Sequence, residues 1–83
     1  MRWLDIPYAQ APVGGGRWRA PRALEPTLEL IQPQENDILC PQMPSETSGI
    51  DADGPIGQED CLYLDIVAPA DYRERSYPVM FWI

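Results

Sequence analysis

The chain contains no histidine, and all six of its positive charges are arginine. Without an imidazole, no side chain ordinarily changes charge near neutral pH, which excludes the usual Ser-His and Cys-His relays from these 83 residues. No apolar run approaches the ~18 residues that mark a membrane-spanning helix. The opening Met1-Arg2-Trp3-Leu4-Asp5 also lacks the apolar stretch of a secretory leader. Cysteine occurs only at positions 40 and 61, a spacing unlike C-x-x-C, and without histidine the two make at most half a zinc site. On the residues alone, a disulfide, a redox pair and two core thiols all remain open.

Positive charge is missing from the middle of the chain. Residues 25–65 carry ten Asp and Glu and no Arg, and the net charge is −7. Such a balance repels phosphate backbones and argues against a nucleic-acid partner. The acidic tract reads either as a solvated loop surface or as a rim that attracts cationic ligands. A chain of this length is one small unit and buries only about 60% of its unfolded surface, so its own core is marginal.

What is present is organised around Glu59-Asp60-Cys61-Leu62-Tyr63-Leu64-Asp65-Ile66-Val67. Leu62, Leu64 and Ile66 alternate with Tyr63, Asp65 and Val67, the period-2 pattern of a strand. Residues 4–22 hold too many prolines and glycines for a helix and read as an extended, turning segment. Gly14-Gly15-Gly16 lacks the strand-before, helix-after context of a phosphate loop and reads as a turn needing positive φ or close backbone approach. Trp18, between Arg17 and Arg19, is expected to pack while an arginine pairs with a carboxylate.

Thr27-Leu28-Glu29-Leu30-Ile31, bounded by Pro26 and Pro33, reads as a short strand or an extended piece. Residues 43–58 have loop chemistry, and a loop of that length calls for a function or a staple. Residues 68–77 read as an exposed connection with at most one turn of helix. Pro78-Val79-Met80-Phe81-Trp82-Ile83 reads as a strand buried on both faces.

Catalytic readings within the chain are poor. Glu59 and Asp60 are adjacent on an extended segment and point to opposite sides, so they do not converge as an acid and base pair. Ser45, Ser48 and Ser76 lie in polar connections, without an activating base or a G-x-S-x-G elbow. No catalytic, cofactor-binding or metal-binding residue is assigned.

Four stretches, in order, resemble the carboxylesterase type B family, the cholinesterase-like α/β-hydrolases. Residues 59–65 match its E-D-C-L-Y-L-N, with Asp65 for the Asn. Residues 5–21 match G-I-P-Y-A-x-P-P-x-G-x-x-R-F-x-x-P, with Asp5 for the glycine, Ala11 for a proline and Trp18 for the Phe. Cys40-Pro41-Gln42 matches C-P-Q. Residues 78–83 are similar to L-P-V-M-V-W-I, which the family follows with H-G-G-G. Pro26-Thr27-Leu28 stands where a Pro-Trp pair is common.

The resemblance implies a disulfide between Cys40 and Cys61, closing a loop along one wall of the active-site entrance, and an ion pair between Arg17 and Glu59. It implies that residues 4–83 are the N-terminal part of an α/β-hydrolase domain, mostly strand and coil, with antiparallel outer strands of the central sheet. The catalytic serine, histidine and oxyanion loop would lie beyond Ile83, leaving this segment inactive alone and dependent on the remaining domain to fold. The whole protein would then act on small-molecule esters without a cofactor, and a disulfide implies an extracellular or periplasmic setting. Two other classes compete: a non-catalytic adhesion or binding protein of the same fold, and a small disulfide-stapled binding module.

Overall fold

The computed structural model describes residues 1–34, 37–45, 47 and 49–83; Glu35, Glu46 and Ser48, considered above, lie outside them. Two strands form: β1, Arg2–Pro7, and β2, Tyr63–Val67. They pair antiparallel, with Arg2 opposite Val67, Trp3 opposite Ile66, Ile6 opposite Leu64 and Pro7 opposite Tyr63. Met1 and Ala68 extend the ladder by exchanging bonds of 2.8 and 3.0 Å. At the other end the Tyr8 N–H donates to Leu62 O (3.1 Å). Pro7 has no N–H to give, and as the last residue of a strand at the sheet's edge it removes nothing from the ladder.

The register slips between Trp3 and Ile6, where Leu4 and Asp5 together face Asp65. Such a bulge strands a backbone donor. Here the donor is the Asp5 N–H, and the Asp65 carboxylate takes it up at 2.9 Å. Asp5 has φ 55°, a left-handed conformation that Gly accepts freely and Asp tolerates better than most residues. Its own carboxylate accepts from the Gln34 N–H (2.7 Å), tying the 31–34 connection to β1. Two of the departures from the family pattern, Asp5 and Asp65, therefore meet at one bulge.

Gly14–Gly16 forms one turn of 3-10 helix, with Gly14 at φ 53°. Residues 69–75 form consecutive turns rather than a helix, closed by Tyr72 N–H to Pro69 O (3.2 Å) and Glu74 N–H to Asp71 O (2.9 Å). Asp71 is their hub, pairing with Arg75 at 2.8 Å and accepting a hydrogen bond from the Tyr77 hydroxyl. Trp3 meets Tyr72 edge to face, ring centroids 5.1 Å apart, and packs these turns against β1.

Two expectations need correction, and the choice left open at residues 27–31 resolves against a strand. Residues 27–31 form no strand: the Glu29 N–H turns back to Thr27 Oγ1 (3.0 Å), a local bond that competes with a ladder. Residues 78–83 form no strand either, and Val79 to Ile83 are 76–104% exposed. No described strand lies beside them, and a strand needs a partner for its backbone groups. Trp18 does not pack; it is 96% exposed, at φ 58°.

Ala9 is the one buried apolar residue among those described. The radius of gyration is 15.5 Å, against about 12 Å for a compact domain of this length. The chain is thus laid out around one strand pair and has almost no interior.

The bulge yields a test. Asp5→Gly removes the bond to Gln34 but also the left-handed penalty, whereas Asp5→Ala removes the bond and keeps the penalty, about 1–2 kcal/mol. Denaturant unfolding of the intact protein should rank Asp5→Ala clearly below Asp5→Gly. The reverse ranking would contradict this account of the bulge.

Candidate functional site

The residues singled out from the sequence gather at the neck of the long loop, immediately before β2. Cys40 and Cys61 are joined by a disulfide, with Cα atoms 5.0 Å apart. Inside the bridge the chain pairs with itself: Gln42 and Ile56 exchange backbone hydrogen bonds of 2.9 Å each, and the Gln58 N–H donates to Leu39 O (2.8 Å). Side-chain amides reinforce the neck, Gln42 Nε2 donating to Cys40 O (3.2 Å) and Gln58 Nε2 to Asp60 O (2.7 Å).

Gly57 allows this closeness. It has φ 97°, and a Cβ there would stand 2.6 Å from the Cys40 carbonyl carbon and 2.7 Å from Leu39 O. Only glycine fits both the conformation and the approach. Closing about 22 residues restricts the unfolded chain by a little over ~3 kcal/mol in the chain-entropy model.

The Arg17 side chain reaches the same place, its Nε 2.5 Å from Glu59 Oε1. The two side chains are 53% and 44% exposed, so the pair is a surface one. Such pairs contribute about 1 kcal/mol or less, well below the staple. Next along, Asp60 lies beside the Tyr63 hydroxyl. The phenol pKa is raised above its ordinary value near 10, by desolvation first, then by a hydrogen bond to Asp60 and the negative charges of Asp60 and Asp5. The Leu62 carbonyl receives Tyr8, Leu64 faces Ile6 and Asp65 holds the bulge. The nine-residue stretch thus spends its polar groups on tying β2 to two distant segments.

Two open depressions lie nearby. One, about 400 Å³, runs between Pro44, Ser45, Gly49, Ile50, Asp51 and Ala52 at the loop tip. The other, about 350 Å³ and more apolar, is formed by Arg2, Trp3, Leu4, Ile6, Ile31 and Pro33 beside β1. The Ser45 hydroxyl shares a hydrogen bond with that of Thr47 (3.0 Å), a partner that cannot act as a base. Among the described residues, no three His, Cys, Asp or Glu side chains gather as a metal site. No described helix is long and apolar enough to cross a membrane.

Sequence reasoning did not single out Gly57, the Gln42 and Ile56 pair, or the Asp71 hub. The pairing across the neck carries no strand-like alternation, and Gly57 is one glycine among several in a loop. Asp5 drew attention only as a departure from a pattern. An Asp where glycine is usual is nonetheless a signal of positive φ.

The sequence that folds into this disulfide-closed loop and antiparallel strand pair has known relatives. The family model described as "Carboxylesterase family" covers residues 1–83, and the chain belongs to that family. It is 37% identical over 83 residues to the para-nitrobenzyl esterase of Bacillus subtilis, covering 99% of this chain and 17% of that protein. It is 34% identical over 90 residues to the liver carboxylesterase of Sus scrofa, covering 98% and 16%. To the acetylcholinesterase of Electrophorus electricus it is 31% identical over 89 residues, covering 100% and 14%. The chain therefore spans about one sixth of the length of these curated relatives. No solved structure matches it significantly.

Two predictions follow from the neck. Replacing both cysteines by serine should lower the unfolding free energy of the intact protein by about 3 kcal/mol. Arg17→Ala should lower it by no more than ~1 kcal/mol; equal losses in denaturant titrations would refute this ranking.

The second concerns alkaline pH. A phenol whose folded pKa lies above its unfolded value adds stability that is complete below about pH 10 and lost as pH rises through the folded value. Ultraviolet titration should show Tyr63 ionising late, with Asp60→Asn moving it earlier. An unchanged curve in Asp60→Asn would remove Asp60 as a cause.

Proposed function

We propose that residues 1–83 are the N-terminal part of an α/β-hydrolase that cleaves small carboxylic esters by a serine acyl-enzyme route. The groups that attack the ester, activate the serine and hold the oxyanion belong to the rest of the protein. The observation that carries this reading is the match of the carboxylesterase family model along all 83 residues, joined by relatives whose names are those of esterases. The absence of histidine supports assigning the proton relay elsewhere.

In this reading β1 and β2 are outer antiparallel strands of the central sheet, and the stapled loop forms one wall of the pocket entrance. The exposed apolar run 79–83 and the scarcity of interior support a need for further strands and helices of the same domain to complete the packing. The disulfide fits an oxidising compartment, and we assign the protein an extracellular or periplasmic setting. The reaction requires no cofactor or metal, and the net charge disfavours nucleic acid.

The test is direct. The protein expressed from its whole reading frame should hydrolyse a chromogenic short-chain ester and lose that activity to a serine-directed phosphonylating reagent. Residues 1–83 alone, oxidised and shown free of host esterases, should release no chromophore. A folded whole protein without turnover on any carboxylic ester would defeat the catalytic reading. Turnover by residues 1–83 would defeat the assignment of the chemistry to the remainder.

A further inference from the structure

We propose that Asp53 is a site of spontaneous backbone modification, at which the Asp53-Gly54 peptide rearranges through a succinimide to an isoaspartyl linkage. In the first step the Gly54 backbone nitrogen bonds to Asp53 Cγ. One carboxyl oxygen leaves as water, taking up the amide proton and the carboxyl proton. Water then adds to the ring carbonyl derived from the Asp53 main chain, and the bond from that carbon to the Gly54 nitrogen breaks. The chain afterwards runs through Cβ and Cγ, and a free carboxylate remains on Cα. The water lost is returned, so the change is an isomerisation with no oxidant, reductant or cofactor.

Three observations select this peptide. The Asp53 side chain is exposed on a bend at residues 53 and 54, outside any paired segment, the next paired residue being Ile56. A Cβ placed on Gly54 would meet nothing within 4 Å, so a five-membered ring has room to close. The other six aspartates, at 5, 37, 51, 60, 65 and 71, precede Ile, Ile, Ala, Cys, Ile and Tyr, whose side chains hinder approach of the following nitrogen. Asp53 is the aspartate that combines an exposed bend with a glycine after it.

The position also gives the change a consequence. Residue 53 lies within the ring closed by Cys40 and Cys61, three residues from the Ile56 pairing with Gln42. An isoaspartyl link adds one methylene to that ring and moves a negative charge onto the main-chain side.

This inference does not depend on the ester-hydrolase reading. The protein expressed from its whole reading frame would be aged at neutral pH in heavy-oxygen water, digested, and sequenced by electron-transfer fragmentation. The expected result is an isoaspartyl linkage at residue 53 that grows with time and carries one heavy oxygen, with none at the other aspartates. In Gly54→Ala, whose added methyl has open space, the product should fall below detection, and Asp53→Glu should abolish it. The proposal is overturned if residue 53 keeps its normal linkage while a free peptide of residues 49–59 isomerises alongside. Equal conversion in Gly54→Ala would overturn it as well.

Discussion

The antiparallel pairing of β1 with β2 is the constraint on which the remaining structure depends. It joins segments some sixty residues apart, as the Asp5 to Asp65 bond records. A two-stranded ribbon is at best marginally stable in water. This one is held by neighbours rather than by an interior. The disulfide fixes the approach to β2, Asp65 satisfies the donor freed by the bulge, and Trp3 rests on Tyr72. The segment between the strands contributes little packing of its own and is tied down at points: Gln34 on Asp5, Arg17 on Glu59 and the paired neck of the loop.

These ties differ in kind. The disulfide and the Gly57 approach act on backbone positions and admit little substitution, whereas the Arg17 and Glu59 pair is a solvated surface contact. Within this chain the strand pair and the stapled neck hold the backbone in place.

The alternation at residues 62–67 was legible because one strand face recurs every second residue, and the strand forms from Tyr63 onward. β1 was legible only as extended chain: its bulge spoils the alternation between Trp3 and Ile6, and Pro7 reads as a breaker. Residues 27–31 show the reverse failure. Their pattern suits a strand, but Thr27 offers its hydroxyl to a backbone N–H two residues on, and no neighbouring strand competes for that donor. The apolar run 78–83 reads correctly as wanting burial, yet apolarity cannot say whether a partner is within reach. At the site, Cys40, Cys61, Arg17 and Glu59 were reached through resemblance, since nothing in their spacing required them to meet. Gly57 was hidden because its role lies in a contact with Cys40, seventeen positions away.

The neck formed by Gly57, Gln42 and Ile56 bears on how this loop can change in evolution. Because closure is completed at its base, residues 43–55 can lengthen or shorten without disturbing β2. Doubling the length of a flexible loop adds only about 0.6 kcal/mol of closure entropy. Insertions are therefore thermodynamically inexpensive in this span and disruptive one residue outside it, which makes the region between the paired residues a natural place for lineages of the family to diverge in length.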